Sequence, residues 1–253
     1  FLLQLGAIVF GIFVGGDNVD TDDFVGVDNG DYVGRDAENC LHARLSYEAI
    51  TSDWANQFCA NEHLMNMVRR LQPTWQSPFI LRRHLIRSNV PFAKGTSTGV
   101  HYDQIFLRAA PPTTLTAWVP IGDCGPKGGG LMYLENSVTV GERIESGFTE
   151  LCRQKGMGEE ERLNAFNQNM SKTGMLDRDA NAFGEKEARG SKWLIGDYEA
   201  GDVVFHHTYM IHSSARNCDP EGRIRLSADL RFADREQDHD ARWDKRFFPG
   251  DGL

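Results

Sequence analysis

Two metal-capable side chains stand one residue apart in GVHYDQIF, residues 99–106. If the stretch is an extended strand, side chains return to the same face every second residue. His101 and Asp103 then point one way and Tyr102 the other. Aspartate is poor in strands, which makes its place here worth explaining. A histidine and a carboxylate from one strand are half of a metal site. A distant second histidine would complete the 2-His-1-carboxylate set that holds non-heme Fe(II) and leaves positions open for O2 and a chelating cosubstrate. The late candidates are His206, His207 and His212, all in GDVVFHHTYMIHSSARN. His206 and His207 are neighbours, so only one can face inward, and His212 shares the parity of His206 if the strand is unbroken. Composition alone does not choose among them. Beyond them, GRIRLS puts Arg223, Arg225 and Ser227 on one strand face, where a guanidinium fork suits a carboxylate.

The elements that would position these groups read mostly as strands. SYEAITSDWANQF (46–58) and NEHLMNMVRRLQ (61–72) have helical apolar spacing and Ser or Asn caps. PFILRRHLIR (78–87), TGVHYDQIFLRA, TTLTAWVPIGD and GGGLMYLENS read as strands, with Pro-Pro and Gly-Pro-Lys-Gly-Gly-Gly turns between the last three. Residues 142–190 change to helical and polar character and read as a single insertion over the mouth of the domain, a lid too poor in apolar residues for its own core. Strands resume with KWLIGDY, AGDVVFHHTYMIHSS and GRIRLSADLRF, and the charged tail reads as a short helix and loop. Short strands with Gly/Pro turns predict a mainly β domain of the jelly-roll kind with helices packed outside, spanning 1–253 as one unit.

The ordered set resembles the phytanoyl-CoA dioxygenase family of Fe(II)/2-oxoglutarate oxygenases. The residues that carry the resemblance are His101-Tyr102-Asp103, then Trp118, Ile121 and Asp123, then Gly129-Gly130-Leu131 with Asn136-Ser137. Gly201-Asp202, His212-Ser213-Ser214-Ala215-Arg216-Asn217 and Arg223 complete it, over roughly residues 78–235. The resemblance implies a double-stranded β-helix, jelly-roll or cupin-like, with Fe(II) held by His101, Asp103 and His212. It implies O2 and 2-oxoglutarate as cosubstrates and oxidation of an unactivated C–H bond with release of succinate and CO2. The outcome is hydroxylation, desaturation or cyclisation. By the family's interval of eleven residues after His212, Arg223 is favoured for the far carboxylate of 2-oxoglutarate. The alternative is Arg225 with Ser227, which matches the R-x-S of related oxygenases. Trp118 and Thr98 are further candidates for the cosubstrate pocket, Trp118 weighed against a plain core role, and Thr114 and Thr116 could hydrogen-bond there too. Halogenating relatives lack the carboxylate, so Asp103 argues against halogenation.

The substrate is read less sharply. Arg82, Arg83 and Arg87 precede the HxD stretch, and Arg82 is taken as a contact to a substrate carboxylate, against a solvated edge. Phe183, with Met170 and Met175, is the candidate from the insertion, against local packing. A small amino acid or natural product is preferred, in secondary metabolism. An acyl-CoA is the alternative within the family, although no basic cluster suits the CoA phosphates. Two rivals lie outside it: a cupin-type enzyme without 2-oxoglutarate, and a non-catalytic jelly-roll binding module.

Bulk properties bound the rest. The balance of 27 basic against 36 acidic residues, net charge −9, argues against nucleic acid, which needs a basic surface. Cys40, Cys59, Cys124, Cys152 and Cys218 are odd in number and form no CxxC, which predicts free thiols and a cytoplasmic setting. The opening FLLQLGAIVFGIFVGG lacks a basic n-region and is too short to span a bilayer, so a buried strand is expected, and starting at Phe1 the chain reads as trimmed. The Gly- and Asp-rich 15–39 does not fit the EF-hand pattern and is expected to be a surface loop. No membrane partner is expected, and a homodimer is the assembly considered.

Overall fold

The computed structural model describes residues 17–18, 47–93, 96–165 and 174–247. The expected opening strand, nearly all of the Gly- and Asp-rich stretch and Met170 lie outside them.

Among the described residues, nine strands pair antiparallel into two sheets. The first contains β1 (Asp17–Asn18), β6 (Trp193–Ile195), β5 (Leu131–Leu134) and β8 (His212–Ser214), in that order. The second has β2 (Pro78–Ile80), β9 (Arg225–Asp234), β4 (Leu115–Ile121) and β7 (Val204–His207), with β3 (Leu85–Asn89) also paired to β9. PFILRRHLIR thus forms two short strands rather than one.

The long β9 organises the second sheet. Its alternate residues Ala228, Leu230 and Phe232 face outward and pack with Leu115, Ala117 and Val119 of β4 under helix α2 (Glu62–Leu71). That helix buries Leu64 and Val68 against them, each contributing about 1.5–3 kcal/mol. Asn61 caps its start by accepting from the His63 N–H at 2.8 Å, and Ser52 caps α1 (Asp53–Cys59) through the Ala55 N–H. The opposite parity of β9, Arg225, Ser227, Asp229 and Arg231, turns toward the other sheet, so one strand supplies both a core face and a polar face.

The insertion carries α3 (Val138–Gln154), α4 (Glu159–Asn164) and α5 (Ala180–Glu187). Its described residues form no separate apolar core. Ala180 and Phe183 join Tyr102, Leu134 and Trp193 in the main apolar cluster, with Val140 and Ile144 of α3 packed against it. Phe183, expected as a substrate contact, is 4% exposed in this cluster, and that expectation is corrected. Met175 packs on Gly99 and fills the space a Cβ would need there.

Two strand expectations change in ways that matter for the site. TGVHYDQIFLRA is not a continuous strand: Val100 and His101 form single bridges, and Asp103–Ile105 turns into a 3-10 helix. AGDVVFHHTYMIHSS breaks at residues 208–211, so β7 and β8 belong to different sheets. The tail does hold a short helix, Ala241–Asp244. Among the described residues, no helix is long and apolar enough to cross a membrane.

Candidate active site

His101 and His212 are set side by side by their backbones. Each donates its N–H to the other's carbonyl, at 3.0 and 2.9 Å, forming an antiparallel bridge that brings the ring centroids to 4.2 Å. Two residues on, the chain turns at Asp103, whose carbonyl accepts from the Phe106 N–H at 2.9 Å, and the turn swings its carboxylate back toward both rings. One ligand atom each from His101, Asp103 and His212 lies within 4.8 Å of the others, and all three residues are buried.

The rings are oriented for metal binding. A carbonyl can only accept, so Nδ1 of His101 donates to the Gly99 carbonyl at 2.8 Å and Nδ1 of His212 to the Met210 carbonyl at 2.9 Å. Both are therefore left with a bare Nε2, the tautomer a metal takes. Burial keeps both imidazoles neutral by pushing their pKa down, well below the usual value for His212, which also faces His101 and His206.

Asp103 is 1% exposed, and burial alone would favour its protonated form. Arg231 prevails, donating from Nη2 to Oδ1 at 3.0 Å, and His206 adds a hydrogen bond from Nε2 to Oδ2 at 3.3 Å. Together they hold the carboxyl well below its ordinary pKa. The Thr116 hydroxyl also donates to Oδ2. His206 is committed elsewhere: its Nε2 faces Asp103 and its Nδ1 meets the Tyr133 hydroxyl at 3.2 Å. His207 accepts from the Tyr209 N–H at 3.1 Å and lies outside the cluster. The break between β7 and β8 sends His206 and His212 to opposite sheets, and of the three histidines it is His212 that joins His101 and Asp103.

The cavity beside these three residues is lined by Thr98, Thr116 and Trp118, by Arg225 and Ser214 at one end, and by Arg231 and the Arg87–Asp229 pair. Arg225 is a buried cation with only neutral partners: the Gly129 carbonyl at 2.9 Å, Ser227 Oγ at 2.7 Å and Ser214 Oγ at 3.3 Å. Burial lowers its pKa to about 10. Gly129 adopts φ +77°, and a Cβ there would collide with the Asn89 amide that shares its carbonyl. The Trp118 ring centroid lies 5.9 Å from the Arg225 guanidinium carbon.

Arg223, favoured by its interval from His212, is instead on the surface, 65% exposed and paired with Asp219 and Glu221. Proline-containing NCDPEG loops out ahead of β9, and the inward parity begins only at Arg225. Arg82 is likewise exposed, whereas Arg87 of the same run lines the cavity. The sequence reading missed Asp229 and Arg231, although continuing the alternation from Arg225 through LSADLR would have found both. It also missed the Glu145 link: α3 places Glu145 to accept from Arg108 at 2.6 and 2.7 Å and from the Tyr102 hydroxyl at 2.7 Å. The insertion is thereby tied to the residue between His101 and Asp103.

Residues 32–224 match the family described as phytanoyl-CoA dioxygenase (PhyH). No curated protein sequence matches the chain. Among solved structures, the chain is similar to the non-heme alpha ketoglutarate dependent carbocyclase SnoK from nogalamycin biosynthesis, at 19% identity and TM-score 0.50 over 74% of this chain and 61% of that one. It is also similar to EctD from S. alaskensis, solved with 2-oxoglutarate and 5-hydroxyectoine, at 15% identity and TM-score 0.50, covering 75% and 55%. The epimerase SnoN from nogalamycin biosynthesis aligns at 20% identity and TM-score 0.47, over 84% and 68%. The chain thus spans about half to two thirds of the length of these proteins. The likeness to SnoK and EctD, at such identities, is one of fold, a double-stranded β-helix.

Proposed function

Because the chain belongs to the phytanoyl-CoA dioxygenase (PhyH) family, whose members are Fe(II)/2-oxoglutarate-dependent oxygenases, we propose that it oxidises an unactivated C–H bond of a small molecule. In this reading His101, Asp103 and His212 hold the iron and Arg225 holds the cosubstrate. The donor set fits: two neutral imidazoles with bare Nε2 atoms and one ionised carboxylate are what non-heme Fe(II) takes. When bound, Fe(II) with 2-oxoglutarate and O2 supplies the oxidant, the oxo acid becoming succinate and CO2.

The chain's own residues bind, orient and exclude. Arg225, fixed by Ser227, Ser214 and the Gly129 carbonyl, offers a cation without a carboxylate, and burying such a charge is costly unless an anion completes it. That uncompensated arginine is the observation that best supports an oxo-acid cosubstrate, and it disfavours a cupin-type enzyme, which has no use for it. Ser227 and Thr98 lie within reach of the same end of the cavity, and Trp118 forms its apolar wall. Thr116 and His206 keep the Asp103 carboxylate aimed while Arg231 keeps it ionised.

We read the 142–190 insertion as a lid within a single 1–253 domain, its α3 docked on Tyr102. The substrate class we favour is a small amino acid or natural product, in secondary metabolism. Hydroxylation, desaturation and cyclisation all remain within reach of this site. The test is anaerobic titration with Fe(II) and 2-oxoglutarate. A visible charge-transfer band on adding the oxo acid is expected, then succinate release in air with a substrate panel. Absence of the band from folded protein would sink the reading.

A further inference from the structure

We infer that Arg231 anchors a carboxylate or equivalent oxyanion on the primary substrate, so that this enzyme takes an acidic small molecule. The inference rests on the oxygenase reading above.

Arg231 is 3% exposed, yet only Nη2 of its guanidinium is hydrogen-bonded, to Asp103. Its Nε and Nη1 are buried and have no hydrogen-bond partner. Buried donors are nearly always satisfied, and an exception calls for a ligand or a water. The side chain lines the same cavity as His101, Asp103 and His212, so an acceptor meeting its free donors would lie beside the reacting centre. Its guanidinium carbon sits 4.5 Å from the Trp243 ring centroid, which steadies the fork in one orientation.

The charges lining the cavity point the same way. Three guanidiniums, of Arg87, Arg225 and Arg231, face two carboxylates, of Asp103 and Asp229. Arg87 and Asp229 pair at 2.6 Å, and Arg231 and Asp103 at 3.0 Å. A divalent metal and doubly negative 2-oxoglutarate cancel each other. One positive charge is then left over in a buried site, and a monoanionic substrate closes the balance. Arg225 and Arg231 stand six residues apart on β9, the first hydrogen-bonded to the Gly129 carbonyl and Ser214, the second to Asp103.

The test compares matched acid and primary-amide pairs, on aliphatic, aromatic and amino-acid frameworks, binding anaerobically to protein loaded with Fe(II) and 2-oxoglutarate. Calorimetry should show at least one acid binding about tenfold or more tighter than its amide. Arg231→Gln should abolish that preference, and Arg231→Lys should keep its direction but weaken it. The proposal is overturned if no pair shows an acid preference, including the case in which none binds. It is also overturned if the preference survives in Arg231→Gln, or if that variant loses 2-oxoglutarate affinity while the preference stays. If Arg231→Gln does not fold, the wild type and Arg231→Lys decide. Failure of the oxygenase reading shows separately, as no charge-transfer band when 2-oxoglutarate is added to the wild-type Fe(II) protein.

Discussion

Thr116 of β4 and His206 of β7 are direct partners across the sheet, and both side chains meet Oδ2 of Asp103. Their shared register turns two strand residues into a clamp on a carboxylate from another part of the chain. Such outer partners tune a metal site almost as much as its ligands do. Thr116→Val and His206→Phe keep the shape and remove the donors. Each is expected to weaken Fe(II) affinity by about 10–100-fold while circular dichroism stays native. Affinities equal to wild type would show that the clamp is ornamental.

Arg225 and Arg223 offer a sharp contrast from one loop-strand junction. Arg225→Met removes a buried cation without a carboxylate partner, so stability should hold or rise while 2-oxoglutarate binding weakens by about 100-fold or more. Arg223→Ala removes only exposed pairs and should change stability by less than about 0.5 kcal/mol, with 2-oxoglutarate affinity unaltered. Titration of both variants with the oxo acid separates them. The reverse pattern would return the cosubstrate to Arg223.

Glu145 ties α3 to the ligand-bearing turn through Arg108 and Tyr102, and its side chain is 10% exposed against 2% for Arg108. Glu145→Gln takes the carboxylate from a buried guanidinium and should cost about 3–5 kcal/mol in urea unfolding. A loss below about 1 kcal/mol would mean that the pair is not closed in solution.

Acid should destabilise the metal-free protein. Burial, and then the nearby Arg246 charge, push His84 down to about 4, and its Nδ1 has no hydrogen-bond partner. His101 and His212 shift in the same direction by burial. In the unfolded chain a histidine takes a proton below about 6.5 that the folded state refuses, so the unfolded state binds more protons there. Stability from His84 is therefore full above about 6.5 and drains as pH falls toward about 4. Urea midpoints should decline steadily over that window, and less steeply in His84→Gln. A flat profile would contradict the assignment.

The sequence by itself determined the residue types and the parity. HxD, a late histidine, alternating arginines and Gly/Pro-punctuated strands are local signals of a mainly β fold, and their ordered resemblance to the family, rather than parity, pointed to His101, Asp103 and His212, which the structure brings together. Tertiary structure decided what depends on where a strand stops. The bend at residues 208–211 sends His206 and His212 to opposite sheets, and parity along one strand cannot foresee a change of sheet. The surface loop before β9 turns Arg223 out and Arg225 in, because inward alternation starts only where the ladder starts. Phe183, weighed in the sequence as a substrate contact against local packing, lies in the core, where the segment buries its apolar residues against the sheets. The partners of Asp103 come from three strands distant in the chain, and only packing brings Thr116, His206 and Arg231 to one carboxylate.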